Sequence, residues 1–423
     1  MKYLLRQTTI TDPRSPLNGK KVDILIEGGQ ITAIKPNLSV DEKIKVIQSA
    51  ELHVSPGWLD MQVNFRDPGN EVKEDIHSGL TAAASGGFTG VCLSPATHPP
   101  VSNKSQIEYV LSRSKGNLVD LFPLGSITHA LDGNDIAEMY DMKKSGAVGF
   151  SDDKKPLKDA GLLLRALQYS NNVDSFLISH CDDAAISKGG LMHEGEQSTK
   201  MGLKGIPALA EEVMLERNIS VLRYAGGRLH IPFISTKRSV ELIKQAKSQG
   251  LSITAGVAAI NLLLDDSRIN DFDTNLKVNP PLRSTEDVEA LRKGLAAGII
   301  DVIVSDHSPE DIESKDLEFD YASFGAIGLE TAFAAAHSAC GKKVNLDQLI
   351  NCLSIKPRSI IGATAPVIAE GQKANLTLFD PSIHWDFKKS DIRSKSSNTP
   401  FIGCSFTGKV IGIINKNQVY LNS

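Results

Sequence analysis

PGWLDMQVNFRDPGNEVKEDIHSGLTAAASGGFTGVCLS, residues 56–94, changes the rhythm of the chain. Before it, VDILIEGGQITAIKP (22–36) sets two alternating apolar runs around Gly28-Gly29, the pattern of a β-hairpin. Within it, apolar runs at 59–63 and 89–94 are separated by a helical stretch at 74–86. That order is a β-strand, a crossover helix and a second strand, the unit of a parallel sheet. The alternation continues with strand candidates at 120–125, 147–151, 176–180, 229–234, 252–257 and 301–305. Helical patterns lie between them, at 158–170, 207–217, 237–248 and 286–297, with two more after the last strand, at 329–338 and 346–362. Eight strands in this arrangement predict a (β/α)8 barrel over 56–367. After Gly371 strand patterns return (ANLTLFDP, GKVIGIINKNQVYL), so 1–55 and 368–423 are expected to pair into a small composite β-sandwich domain.

Composition narrows the class. The 423 residues carry 41% hydrophobic and 23% charged side chains and a formal net charge of −4, a globular balance with no basic footprint for nucleic acid and few aromatics for base stacking. The opening apolar run is too short for a signal peptide, and no stretch reaches membrane-spanning length, so no membrane partner and a cytoplasmic location are expected. The five cysteines (Cys92, Cys181, Cys340, Cys352, Cys404) are scattered without CxxC spacing, which predicts reduced thiols and no thiolate metal site.

A barrel of this kind places its chemistry where strands end. Asp60, Gln62, Asn64 and Arg66 follow the first strand, Asp152 and Asp153 the fourth, and His180 ends the fifth. Phe233 falls on the sixth, Asn279 and Arg283 lie after the seventh, and Asp306 and His307 follow the eighth. Acids and an imidazole from strands four, five and eight thus converge on one mouth. Rim charges capping helices would give the same pattern.

PGWLDMQVNFRDPG (56–69), GGFTG (86–90), GFSDD (149–153), SHCDD (179–183), KVNPPLR (277–283), SDHSP (305–309), FGAIGLET (324–331) and NTPFIG (398–403) together resemble the dihydroorotase family of cyclic amidohydrolases, along essentially the whole chain. The resemblance implies an amidohydrolase barrel in which two zinc ions share a carboxylate and activate a hydroxide. The family's paired histidines on strand one correspond to Gln62 and Asn64, and its strand-six histidine to Phe233. The bridging carboxylate corresponds to Asp153, or its neighbour Asp152, the strand-five histidine to His180, and the general acid/base to Asp306. Arg66 and Asn279 are retained at substrate-binding positions, while Ala96 and Glu310 replace a substrate-binding asparagine and a histidine.

Three of six ligand positions are lost. The resulting expectations are a vestigial site with no metal and no cofactor, and a protein without hydrolase activity. It would be kept as a structural or regulatory partner of aspartate carbamoyltransferase in pyrimidine biosynthesis, as a homo-oligomer, a dimer. The alternative is an active dihydroorotase, or a dihydropyrimidinase- or allantoinase-like hydrolase, with a reduced metal site. A ligand sensor using Arg66 and Asn279 is a third possibility. Glu310 is expected to repel an anionic substrate. Two carboxylates facing each other without a metal require a proton or a cation, and His180 is the expected cation, with Gln62 and Asn64 donating to the same oxygens. Structural alternatives stand beside these: Arg66 could pin its loop, His180 could be a satisfied core histidine, and Phe233 is read as packing.

Overall fold

The structure, a computed structural model, describes residues 2–39 and 44–422. The other positions of the two terminal segments lie outside the described residues. The central layer is an eight-stranded sheet in strict chain order. Its strands are β1 (Trp58–Val63), β2 (Phe88–Leu93), β3 (Asp120–Gly125), β4 (Gly149–Ser151), β5 (Leu177–Ile178), β6 (Leu229–Ile231), β7 (Ile253–Ala258) and β8 (Val302–Val304). Neighbouring strands pair in parallel throughout. β1 and β2 are buried at every position, because crossover helices cover the sheet, and this is why they read as continuous apolar runs and not as alternating ones.

The crossover helices begin where the sequence supplies caps. Asp75 accepts the Ser78 amide in a capping box ahead of Ile76–Ser85, Thr236 caps Lys237–Ser248, and Ser284 caps Thr285–Ala296. The strand ends are thereby held at one rim. Among the described residues, no helix is long and apolar enough to cross a membrane. The five cysteines are free thiols.

The two chain ends share a second eight-stranded sheet. Its seam is the antiparallel pairing of Leu376–Phe379 with His53–Pro56. The sheet has a core of its own, including Ile24, Val54, Leu376, Leu378 and Ile414, separate from the cluster around the central strands. The hairpin read around Gly28-Gly29 is present, joining Lys21–Glu27 to Gln30–Lys35 with both glycines at positive φ.

One buried carboxylate ties the first central strand to the segment beyond the last. Asp60 accepts from the Gln62 amide at 2.8 Å and from the Ser305 amide at 2.7 Å. Just beyond, Val63 forms an isolated parallel bridge with His307, and the Asn64 amide donates to the His307 carbonyl at 2.9 Å. Burial pushes the Asp60 carboxyl up to about 6, against the pull of these hydrogen bonds.

Asp60→Asn should destabilise the fold by about 1–3 kcal/mol, because an amide cannot accept from both backbone donors without turning its own NH2 toward one of them. The native carboxyl keeps its proton to higher pH than the unfolded chain does. Its contribution to stability therefore falls as pH rises from 3.8 to about 6. Denaturant titrations across that interval should show this component in the wild type and not in the variant; equal midpoints at all pH values would contradict it.

Candidate functional site

The mouth of the central sheet is built by residues that immediately follow its strands, and three of them hold strained backbones. Arg66, Asp153 and Asp306 have φ of 59°, 55° and 52°, in the left-handed region that non-glycine residues seldom occupy. Such strain persists only where surrounding contacts over-determine it, and it clusters at functional sites. The loop carrying Arg66 is also closely fitted: Gly69 has φ 103°, and a Cβ there would lie 1.9 Å from the His98 carbonyl oxygen.

The structure separates the two neighbouring aspartates. Asp152 accepts from the Ile127 amide, the Thr128 amide and the Thr128 hydroxyl, at 2.8, 3.0 and 2.5 Å, and so pins the loop after β3. Asp153 instead accepts from the Gln62 amide nitrogen at 2.5 Å. Asp153 is therefore the carboxylate that meets the end of β1.

The expected polar network forms only in part. Gln62 donates to Asp153 as foreseen, and its own buried side-chain carbonyl oxygen has no hydrogen-bond partner among the described residues. Asn64 does not reach the acids: it accepts from the Arg66 amide at 2.9 Å and donates to the Ala96 carbonyl at 3.3 Å. A two-residue reach back to Arg66 is the local turn that asparagine favours over a distant contact. His180 is neither the bridging cation nor a satisfied core residue. Among the described residues, neither of its buried ring nitrogens has a hydrogen-bond partner. Burial, with a smaller effect of the Lys154 charge, lowers its pKa to about 3, so it is neutral. Phe233 is 1% exposed and meets the His180 ring edge to face at 6.0 Å, the packing role read from the sequence.

The cation that sequence reasoning missed is Lys154. Its ammonium lies 2.7 and 2.8 Å from the two oxygens of Asp306 and 5.0 Å from the centre of the Phe233 ring. Burial raises the Asp306 carboxyl to about 6, Lys154 pulls it back down, and Asp153 adds a smaller upward push. The signal was present in GFSDDKKP, where a lysine directly follows the paired acids, but no strand periodicity reports where a four-carbon stem will fold.

Glu310 also behaves differently from expectation. It does not stand as a free repulsive charge. Its carboxylate takes Arg66 at 2.5 Å on one oxygen and Lys73 on the other, while the Arg66 Nε donates to the Pro309 carbonyl at 3.1 Å. Arg66 therefore does pin its loop. Asn279 lies half-buried on the loop after β7, and Arg283, further along the same loop, is committed elsewhere, donating to Ser235 and the Ile206 carbonyl beside Glu211.

Comparison with known proteins decides the family. The chain is 40% identical over 422 residues to a dihydroorotase of Syntrophus aciditrophicus, covering 99% of each protein, and 42% identical over 422 residues to a dihydroorotase of Thermoanaerobacter sp., covering 99% of this chain and 97% of the relative. This chain belongs to the dihydroorotase family. The Dihydro-orotase-like family profile matches residues 52–239. Among solved structures, the L-hydantoinase (dihydropyrimidinase) of Arthrobacter aurescens superposes with a TM-score of 0.87 at 24% identity, covering 99% of this chain and 96% of that one. The dihydropyrimidinase of Brevibacillus agri gives 0.85 at 21%, covering 100% and 95%. At those identities the likeness establishes the amidohydrolase-type fold.

Membership in the dihydroorotase family overturns the expectation that the chain uses no cofactor. Its near full-length relatives are dihydroorotases, and the resemblance to that family implies a zinc-activated hydroxide. The side chains as arranged do not fit zinc, however. Among the described residues, no group of three or more His, Cys, Asp or Glu is disposed to hold a metal. An ammonium rests on Asp306, Gln62 turns its NH2 and not its carbonyl toward Asp153, and Phe233 has no donor atom.

His180 should stay neutral throughout the range in which an ordinary histidine titrates around 6.5, taking its proton only near pH 3. A native pKa this low means that the unfolded chain binds a proton that the native state refuses, so this residue's contribution to stability is lost as pH falls from 6.5 toward 3. Imidazole NMR on selectively labelled protein would show it directly. A His180 midpoint at or above 6.5 would reject the assignment.

Proposed function

We propose that this chain is a cyclic amide hydrolase of the dihydroorotase type, serving de novo pyrimidine biosynthesis. In this reading Asp306 exchanges the proton, and Arg66 and Asn279 hold the substrate. The observation that carries it is Asp306 itself, a buried carboxyl at the end of the last central strand whose pKa is raised to about 6. A group poised near neutrality serves as both acceptor and donor of a proton in ring opening and ring closure. A substrate carboxylate that bound Arg66 would have to displace Glu310 from it. The fold belongs to the same proposal: residues 56–367 form a closed (β/α)8 barrel, supported by the Val63–His307 bridge, and 1–55 with 368–423 form one composite domain.

A second reading is favoured by the internal pairing of both charged positions, Asp306 by Lys154 and Arg66 by Glu310 with Lys73. In it the chain is a non-catalytic homodimeric partner of aspartate carbamoyltransferase. One experiment separates the two. Purified chain is assayed for dihydroorotate hydrolysis and for the reverse cyclisation, with and without added zinc, and is also chromatographed with aspartate carbamoyltransferase. The hydrolase reading predicts turnover that Asp306→Asn lowers by about a hundred-fold or more. Absence of turnover in every condition, together with co-elution, selects the second reading.

A further inference from the structure

Beyond β8 the chain makes one long excursion, residues 311–325, whose two ends are joined by a single side chain. Asn398 accepts from the Glu310 amide at 3.0 Å, just before the excursion, and donates to the Gly325 carbonyl at its end at 3.1 Å. A surface segment closed at its base in this way is an Ω-loop. Three of its apolar side chains are left in water: Ile312 and Tyr321 are each 76% exposed and Leu317 45%. Beside the buried Phe319 and Ala322, two lysines hold it down. Lys277, from the loop after β7, donates to the Phe319 and Asp320 carbonyls at 2.6 and 3.1 Å, and Lys315 donates to the Ser323 and Gly325 carbonyls at 2.8 and 3.0 Å. Both lysines are buried, and among the described residues no carboxylate forms an ion pair with either. Buried ammonium groups answered only by carbonyl dipoles are a costly hold. An element held in this way opens at lower free energy than the strands beneath it.

The latch connects to the mouth. The Gly325 carbonyl that Lys315 takes is the one Asn398 takes, Asn398 holds the Glu310 amide, and the Glu310 carboxylate holds Arg66 at 2.5 Å. Lys73 makes a second link, donating to the other Glu310 oxygen and, at 3.0 Å, to the Ser314 hydroxyl in the loop. We propose that residues 311–325 are a lid latched by Lys277 and Lys315, and that its release draws Glu310 off Arg66, leaving the guanidinium free for an anionic ligand. The state described is the latched one, and space for movement adjoins it: Asp311, Ile312 and Asp316 wall a cleft of about 530 Å³ that Val72 and Lys395 border from outside the loop. An internal carboxylate that covers the guanidinium until the lid moves makes access a gate, because an anion binds the released form and shifts the population toward it. What Arg66 then receives rests on the function proposed above; the latch does not.

The test reads the lid and Arg66 directly, without turnover, and so is separable from the hydrolase reading. Hydrogen exchange by mass spectrometry is followed on full-length wild type, Lys315→Met and Lys277→Met, and Arg66 is labelled with phenylglyoxal in each. Both variants keep an apolar stem and lose the donors. Protection of residues 316–325 should fall by about ten-fold or more in either variant while the central strands keep theirs, and labelling of Arg66 should quicken with it. Burial lowers the Lys315 pKa to about 8, with Glu310 and Asp273 pulling it up and Lys277 pushing it down. In the released lid that lysine returns to water and to 10.5, so the released form binds the additional proton, and latching strengthens as pH rises from about 8 toward 10.5. Corrected for intrinsic exchange, wild-type protection of the loop should therefore rise several-fold between about pH 7 and about pH 9, and that of Lys315→Met should not. Unchanged protection in both variants, a loss shared by the central strands in both, a latch that weakens with pH, or faster loop exchange with Arg66 labelled at the wild-type rate overturns the proposal.

Discussion

The carboxylate of Asp60 is wholly buried and accepts one backbone amide from its own strand and one from the residue just past β8. The mouth depends on that bond. Gln62 lies two residues beyond Asp60 and Asp306 one residue beyond Ser305, so a single acid fixes the relative positions of chain segments far apart in sequence. Asp152 does the same for the loop after β3, through three hydrogen bonds, and leaves Asp153 aimed inward. The left-handed backbones of Arg66, Asp153 and Asp306 are tolerable because such anchors hold them.

With the backbone fixed, charge balance dictates the side chains. A buried carboxylate is costly unless it is paired or protonated, and a half-buried guanidinium gains from an acceptor. Here both requirements are met from within the chain: Lys154 answers Asp306, and Glu310 answers Arg66 and Lys73 together. His180 goes the other way. Buried against an aromatic ring, it remains neutral chiefly because burial penalises its charged form, and the Lys154 ammonium adds a smaller penalty of the same sign.

The strands and helices were legible because burial on both faces writes unbroken apolar runs and because helix starts carry their caps. The reading at 120–125 matches Asp120–Gly125, and that at 237–248 matches Lys237–Ser248. Differences arise where local patterns are short: the run at 176–180 contracts to Leu177–Ile178, and the parallel pair of Met192–His193 with Gly205–Ile206 leaves no periodic trace. At the site, positions set by backbone direction were readable, hence Gln62 facing Asp153 and Phe233 packing inward. The partner of Asp306 was not, because the reach of a lysine is decided by rotamers and by competition among charges, and neither is periodic in sequence. Asn64 was misread for a related reason, a local bond to Arg66 winning over a distant one.

The sheet assembled from both chain ends has a bearing on the order in which the molecule is made. Strands Lys2–Ile10, Lys21–Glu27 and Gln30–Lys35 pair with one another early, while the strand at His53–Pro56 must wait for Leu376–Asp386 to cover its open edge. During synthesis, the whole central sheet is laid down before that edge has its partner. Until Leu376–Phe379 is made, the edge of His53–Pro56 that it pairs has unsatisfied backbone donors and acceptors, the kind of surface to which another strand can add.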